Sequence, residues 1–167
     1  MKKIVLITLS LLLAFSFWNC EKDDICAEGT PTTPRVIIEF YDAANPTVLK
    51  NVTNLKVTET NLTNGFGFSG VSKIQVPLRT NTEETILNFI QNGNDTNTTD
   101  DNTDEVIFNY VTQEVYISRA CGYKMTFELD AIDGTVITPD TNNWIQNIIV
   151  NQPNIETENE IHVKIYF

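Results

Sequence analysis

Apolar residues recur at every second position through most of this chain. Val36, Ile38 and Phe40 share one parity within residues 35–41, and Leu55 and Val57 alternate with Lys56 and Thr58. Ile74, Val76 and Leu78 alternate with Lys73, Gln75 and Pro77, and Leu87 pairs in parity with Phe89. Val106, Phe108 and Tyr110 continue the pattern, and residues 115–118 read as a partner strand. Met125, Phe127 and Leu129 oppose Lys124, Thr126 and Glu128; Ile161, Val163, Ile165 and Phe167 oppose His162, Lys164 and Tyr166. A period of two is that of a strand with one face in a core, and no long stretch has the period of a helix.

Residues 144–150 read as a further strand, with a short helix as the alternative because Ile148, Ile149 and Val150 blur the alternation. Pro77 has no N–H for a ladder, so its strand lies at an edge or ends there. Short strands separated by turn residues predict an all-β fold: one antiparallel β-sandwich, immunoglobulin-like or Greek-key, with a barrel as the runner-up. His162 falls in the outward set and is expected at the surface. The final strand is expected to place Ile161, Val163, Ile165 and Phe167 in the core.

Two stretches break the alternation. Residues 64–70 hold three glycines around Phe66 and Phe68, a turn-prone segment. One aromatic is expected to fold back as a core plug, the alternative being a solvent-facing contact tip. Residues 91–104, nearly all Asn, Asp, Thr and Gly, have too little apolar surface to pack and are expected to form a loop. Asp95, Asp100, Asp101 and Asp104 offer oxygen ligands for calcium, but their spacing is not that of an EF-hand. A solvated loop is the favoured reading.

The first residues have a different character. Lys2 and Lys3 precede an apolar run from Ile4 to Trp18 that ends at Asn19-Cys20. A run of about 15 residues is short of the roughly 20 that span a bilayer as a helix. A charged start, a short apolar stretch and a cysteine describe a lipoprotein signal peptide, with Cys20 as the lipidation site. An uncleaved anchor, a leader cut elsewhere, and Cys20 in a disulfide remain as alternatives. Lys22, Asp23 and Asp24, just behind the cysteine after Glu21, resemble the signal that sends Bacteroidota lipoproteins to the outer face of the outer membrane. The expected organisation is a signal peptide over 1–19, a lipidated tether over 20–34 and the sandwich over 35–167.

The formal net charge of −11 argues against nucleic acid, whose phosphates require basic patches. With Cys20 lipidated, Cys26 and Cys121 remain as an even pair in an oxidising compartment, and a disulfide between them is expected. Its role would be to fasten the tether to the domain. Catalysis needs a constellation, and the parts are few. His162 is the one imidazole, no nucleophile-elbow motif surrounds Ser69, Ser72 or Ser118, and zinc lacks ligands. No catalytic, cofactor-binding or metal-binding residues are therefore assigned.

The segments 20–26, 32–35 leading into 39–42, 71–78 and Val115-Tyr116-Ile117-Ser118-Arg119-Ala120-Cys121-Gly122-Tyr123-Lys124, most specifically its Arg119-Ala120-Cys121-Gly122 part, resemble a family of Bacteroidota lipoproteins catalogued only as a domain of unknown function (DUF6452-like). The resemblance implies an envelope location and no established activity. The function expected is that of a surface-anchored outer-membrane lipoprotein, a non-enzymatic binding or accessory module held by the lipid on Cys20. Its partner would be a protein or a glycan, with Trp144, Tyr123 or Phe66 as sugar platforms if they do not lie in the core. The alternatives are a carbohydrate-active hydrolase using acidic residues and a purely structural envelope protein.

Overall fold

A computed structural model describes residues 25–167, so the leader, Cys20, Lys22, Asp23 and Asp24 lie outside the described residues. Twelve strands and no helix occur among them: β1 (Val36–Asp42), β2 (Asn45–Leu49), β3 (Leu55–Glu59), β4 (Gly65–Phe68), β5 (Lys73–Val76), β6 (Glu84–Gln91), β7 (Asn102–Ser118), β8 (Gly122–Leu129), β9 (Thr135–Ile137), β10 (Asn147–Val150), β11 (Asn154–Ile155) and β12 (Val163–Tyr166). The described residues form two compact units, 25–30 with Tyr116–Tyr123, and Pro31–Val115 with Lys124–Phe167.

The second unit holds a β-sandwich. One sheet has the order β10-β12-β1-β2, with β5 also on β1. Ile38 and Glu39 of β1 face Val163 and Lys164 on one edge and Ile74 and Lys73 on the other, while Tyr41 faces Tyr166 and Leu49. Thus β5 and β2 share one edge of β1 in succession, and β12 takes the opposite edge. The second sheet runs β11-β8-β7-β6-β3-β4, with β9 also on β7. Pairing is antiparallel except between β1 and β12, which run parallel. That one parallel pair stands where the first and last strands of the sandwich meet at the centre of one sheet, in an otherwise antiparallel sandwich as expected.

The alternating residues meet between the sheets. Val36, Ile38, Phe40, Ile74, Val76, Val163 and Ile165 come from the first sheet, and Leu55, Val57, Leu87, Phe89, Val106, Phe108, Phe127 and Leu129 from the second. Phe40, Phe89 and Phe108 are fully buried, and each such side chain stabilises the fold by about 1.5–3 kcal/mol relative to exposure.

Several local expectations are corrected. Trp144 and Ile145 precede β10 rather than forming it. Trp144 is buried, donates its Nε1–H to the Phe89 carbonyl at 3.0 Å and meets the Phe167 ring edge-on at 5.3 Å. Gln91 ends β6 and residues 102–104 open β7, which confines the irregular loop to 92–101. The glycine-punctuated stretch contains a strand, β4, pairing with β3. A Cβ on Gly65 would collide with the Val57 carbonyl, so only glycine permits that approach. Phe68 packs against the core, whereas Phe66 is half exposed. At the chain's last strand Val163 and Ile165 are fully buried, Phe167 packs at the margin of the core, and Ile161 lies outside β12 and is half-buried.

Candidate functional sites

In the smaller unit the Cys26–Cys121 disulfide joins residues 95 apart, with Cα atoms 4.8 Å from each other. The turn between β7 and β8 that carries Cys121 depends on Gly122, whose φ of +71° suits glycine. The Cys121 N–H donates to Ser118 Oγ at 3.1 Å, and Thr30 Oγ1 donates to the Ala27 carbonyl at 2.6 Å. Around the disulfide lies an open hollow of about 620 Å³ lined by Ile25, Ala27, Thr30 and residues 116–121. Tyr116 and Tyr123 meet in a T-shaped contact at 5.3 Å while both stay mostly exposed. Tyr123, unlike Trp144, therefore lies outside any core.

In the larger unit an apolar cleft of about 160 Å³ lies where β3, β4 and β6 approach the segment after β5. Val57, Val76, Leu78 and Leu87 form its buried lining, and Leu62 and Phe66 line it while half exposed. Arg79 and Glu59 also line the cleft, joined by an ion pair through the guanidinium. The same two residues reach a polar hollow of about 230 Å³ with Thr60, Thr82 and Glu84. Nearby, Tyr110 Oη donates to the Arg79 carbonyl at 2.8 Å and shares a hydrogen bond with Thr85 Oγ1, which accepts from the Arg79 N–H at 2.9 Å. Burial pushes the Tyr110 phenol up, and these bonds restrain the shift. The arrangement pins the Arg79 backbone, and with it one wall of the cleft. It can receive one apolar group, with charge and hydroxyls alongside for polar contacts.

The four loop aspartates are not gathered. Asp95 accepts from Asn97 N and Asn54 Nδ2, Asp100 accepts from Asn97 Nδ2, and Asp104 turns inward on β7. Among the described residues no three His, Cys, Asp or Glu side chains stand close enough to share a metal ion. Asp104 is fully buried. Its Oδ2 accepts the Ile145 N–H at 2.7 Å, while Oδ1 has no partner in hydrogen-bonding geometry. Burial pushes this carboxyl up, restrained by the amides of Ile145 and Trp144 and by the Asn143 side chain.

His162 corrects the sequence expectation most sharply. It has the outward parity, yet it is 1 % exposed. Its Nδ1 accepts the Ile37 N–H at 2.9 Å, which occupies the ring nitrogen that a general base would use. The missed signal was Ile37, an apolar residue on the same outward parity of β1 and equally buried. That face of the β1–β12 pair is covered. Arg35 ties the covering segment down by gripping both carboxylate oxygens of Glu158, at 2.8 and 2.7 Å.

A family model described as "Family of unknown function (DUF6452)" matches residues 49–167. The match takes in β3 to β12 and Cys121, and begins after β1 and Cys26. No curated protein and no solved structure matches the chain.

Proposed function

The chain belongs to the DUF6452 family, whose description states no activity, and we propose that it is a lipoprotein anchored through Cys20 on the outer face of the outer membrane, where it acts as a non-enzymatic binding or accessory module. The observation that carries this reading is the Cys26–Cys121 disulfide, since such bonds persist in oxidising compartments and this one begins six residues after the candidate lipid site. The apolar run before Cys20 and the Lys22-Asp23-Asp24 triplet behind it supply export and address. The binding role rests on the cleft beside Phe66, which suits an apolar group of a protein partner or the apolar face of a sugar. His162, enclosed by backbone, favours binding over chemistry.

The test is fractionation of cells producing the full chain, mass spectrometry of the Cys20 peptide, and protease treatment of intact cells. A diacylated Cys20 in outer membranes, with the domain shaved by external protease, is the expected result. An unmodified thiol or recovery in the cytosol overturns the anchor. Mild-detergent purification without any stable partner, together with a blank glycan array, overturns the binding role.

A further inference from the structure

Charge is divided unevenly between the two units. Once a leader is cut before Cys20, the anchored segment 20–24 keeps Lys22 against Glu21, Asp23 and Asp24, while among the described residues of the smaller unit Glu28 offsets Arg119. The larger unit has seven Lys and Arg against eighteen Asp and Glu, a net charge of −11 by itself. The described part of the smaller unit, formally neutral, also presents three large apolar or aromatic side chains to solvent: Ile25 at 83 %, Tyr116 at 58 % and Tyr123 at 64 % exposure. They are contiguous, for Ile25 and Tyr116 line the same hollow and the Tyr116 ring meets that of Tyr123.

We infer that this patch is a membrane-contact surface, with Ile25, Tyr116 and Tyr123 seated in the headgroup region of the bilayer that holds the protein. The inference rests on the proposed lipid anchor at Cys20 and adds a second point of attachment. Cys26 lies six positions after Cys20, a reach of about 20 Å even when fully extended. The disulfide then brings the β7–β8 turn to within 4.8 Å of that point, Cα to Cα. A lipid surface is thus always within reach of the patch. Tyrosine suits the interface, with its ring among apolar groups and its hydroxyl in water. Arg119 is the one cation of the unit's described residues. The described residues of this unit, with no net charge, meet less repulsion at an anionic lipid surface than the eighteen carboxylates of the larger unit would.

The test uses the full chain purified from membranes and reconstituted into phosphatidylcholine vesicles whose acyl chains are brominated near the headgroup. The variants are Tyr123→Trp and, as a second placement, Tyr116→Trp. Emission is read as the difference from the unsubstituted protein, and the Cys26–Cys121 bond is verified by mass in each sample. Loss of the added emission to bromine, a blue shift and protection from aqueous iodide are expected for both variants. Emission that stays at the water-exposed wavelength, unquenched by bromine, overturns the inference. The Cys20 peptide is weighed in the same samples: a diacylated Cys20 with unquenched emission removes the patch alone. An unmodified Cys20 with quenched emission removes the anchor and leaves the patch standing, and failure of both readouts removes both.

Discussion

The Ile37 N–H donates to His162 Nδ1 at 2.9 Å while the Ile37 carbonyl accepts the His162 N–H at 3.0 Å. One residue of β1 is thereby clasped on both its polar groups by one residue just before β12. Both are fully buried, so neither group has water as a substitute. His162→Ala removes the acceptor and leaves a buried N–H alone, a loss of about 1–3 kcal/mol. His162→Asn returns a side-chain oxygen near the Nδ1 position and recovers part of it. Urea denaturation measures both, and an alanine variant as stable as the parent contradicts the clasp.

The same clasp sets a pH dependence. Burial holds the His162 imidazole below its ordinary value of 6.5, against the opposing pull of Glu160, Glu158 and the Thr157 backbone. Nδ1 can accept from Ile37 only when it carries no proton. In the unfolded chain the ring takes up a proton as pH falls through its ordinary value, while the folded ring still resists. The contribution is therefore complete above that value and is lost as pH falls toward the lower folded one. Chemical denaturation between neutral and mildly acid pH should show stability decreasing, with a flatter profile in His162→Asn. An equally steep profile in the variant assigns the effect elsewhere.

Asp104 works in the opposite direction. Its folded pKa is raised above 3.8 by burial, so its contribution is complete below that value and is lost as pH rises through the raised one. Asp104→Asn keeps an oxygen for the Ile145 N–H and carries no charge to desolvate. It should match or exceed the parent's stability at neutral pH and make the acid loss from His162 steeper. Asp104→Ala leaves the Ile145 N–H without its acceptor and costs about 1–3 kcal/mol. Equal destabilisation by Asn and Ala would mean that a charged carboxylate is required there.

The sandwich was legible because each strand with one buried face carries the alternation that burial imposes: Val36, Ile38 and Phe40 on β1, Val106, Phe108 and Tyr110 on β7. Strands without such a face left no trace. β2 is exposed at all five positions, β4 alternates glycine with phenylalanine, and β9 and β11 are too short to show a period. His162 was read from parity alone, which is sound only when the second face of a sheet meets water. The unbroken apolar run Val36-Ile37-Ile38 marked the place where it does not. The disulfide could be anticipated by counting cysteines. The cleft could not, since Leu62, Phe66, Val76 and Leu87 are brought together only by the pairing of β4 with β3 and the meeting of the sheets.

Cys26–Cys121 closes a separation of 95 residues, and a native disulfide typically stabilises a fold by about 2–4 kcal/mol. Cys121→Ser, or reduction of the parent, should lower the midpoint of thermal unfolding. The double variant Cys26→Ser with Cys121→Ser should be insensitive to reductant. A parent whose transition does not move under reducing conditions would show that the bond contributes nothing to stability.

Phe66 separates binding from folding at the cleft. Its side chain is 51 % exposed beside Leu62, whereas Val57 in the same cleft is 1 % exposed and belongs to the core. Phe66→Asp should change stability by no more than about 0.5 kcal/mol, as expected for an exposed position. It should nevertheless abolish recovery of any partner held through the cleft. Val57→Ala removes core packing and should lower stability by roughly 1–3 kcal/mol, the usual range for a core truncation of this size. Urea denaturation and co-purification from membranes, run on both variants, distinguish the two roles. Retention of the partner by a folded Phe66→Asp protein moves the binding surface away from this cleft.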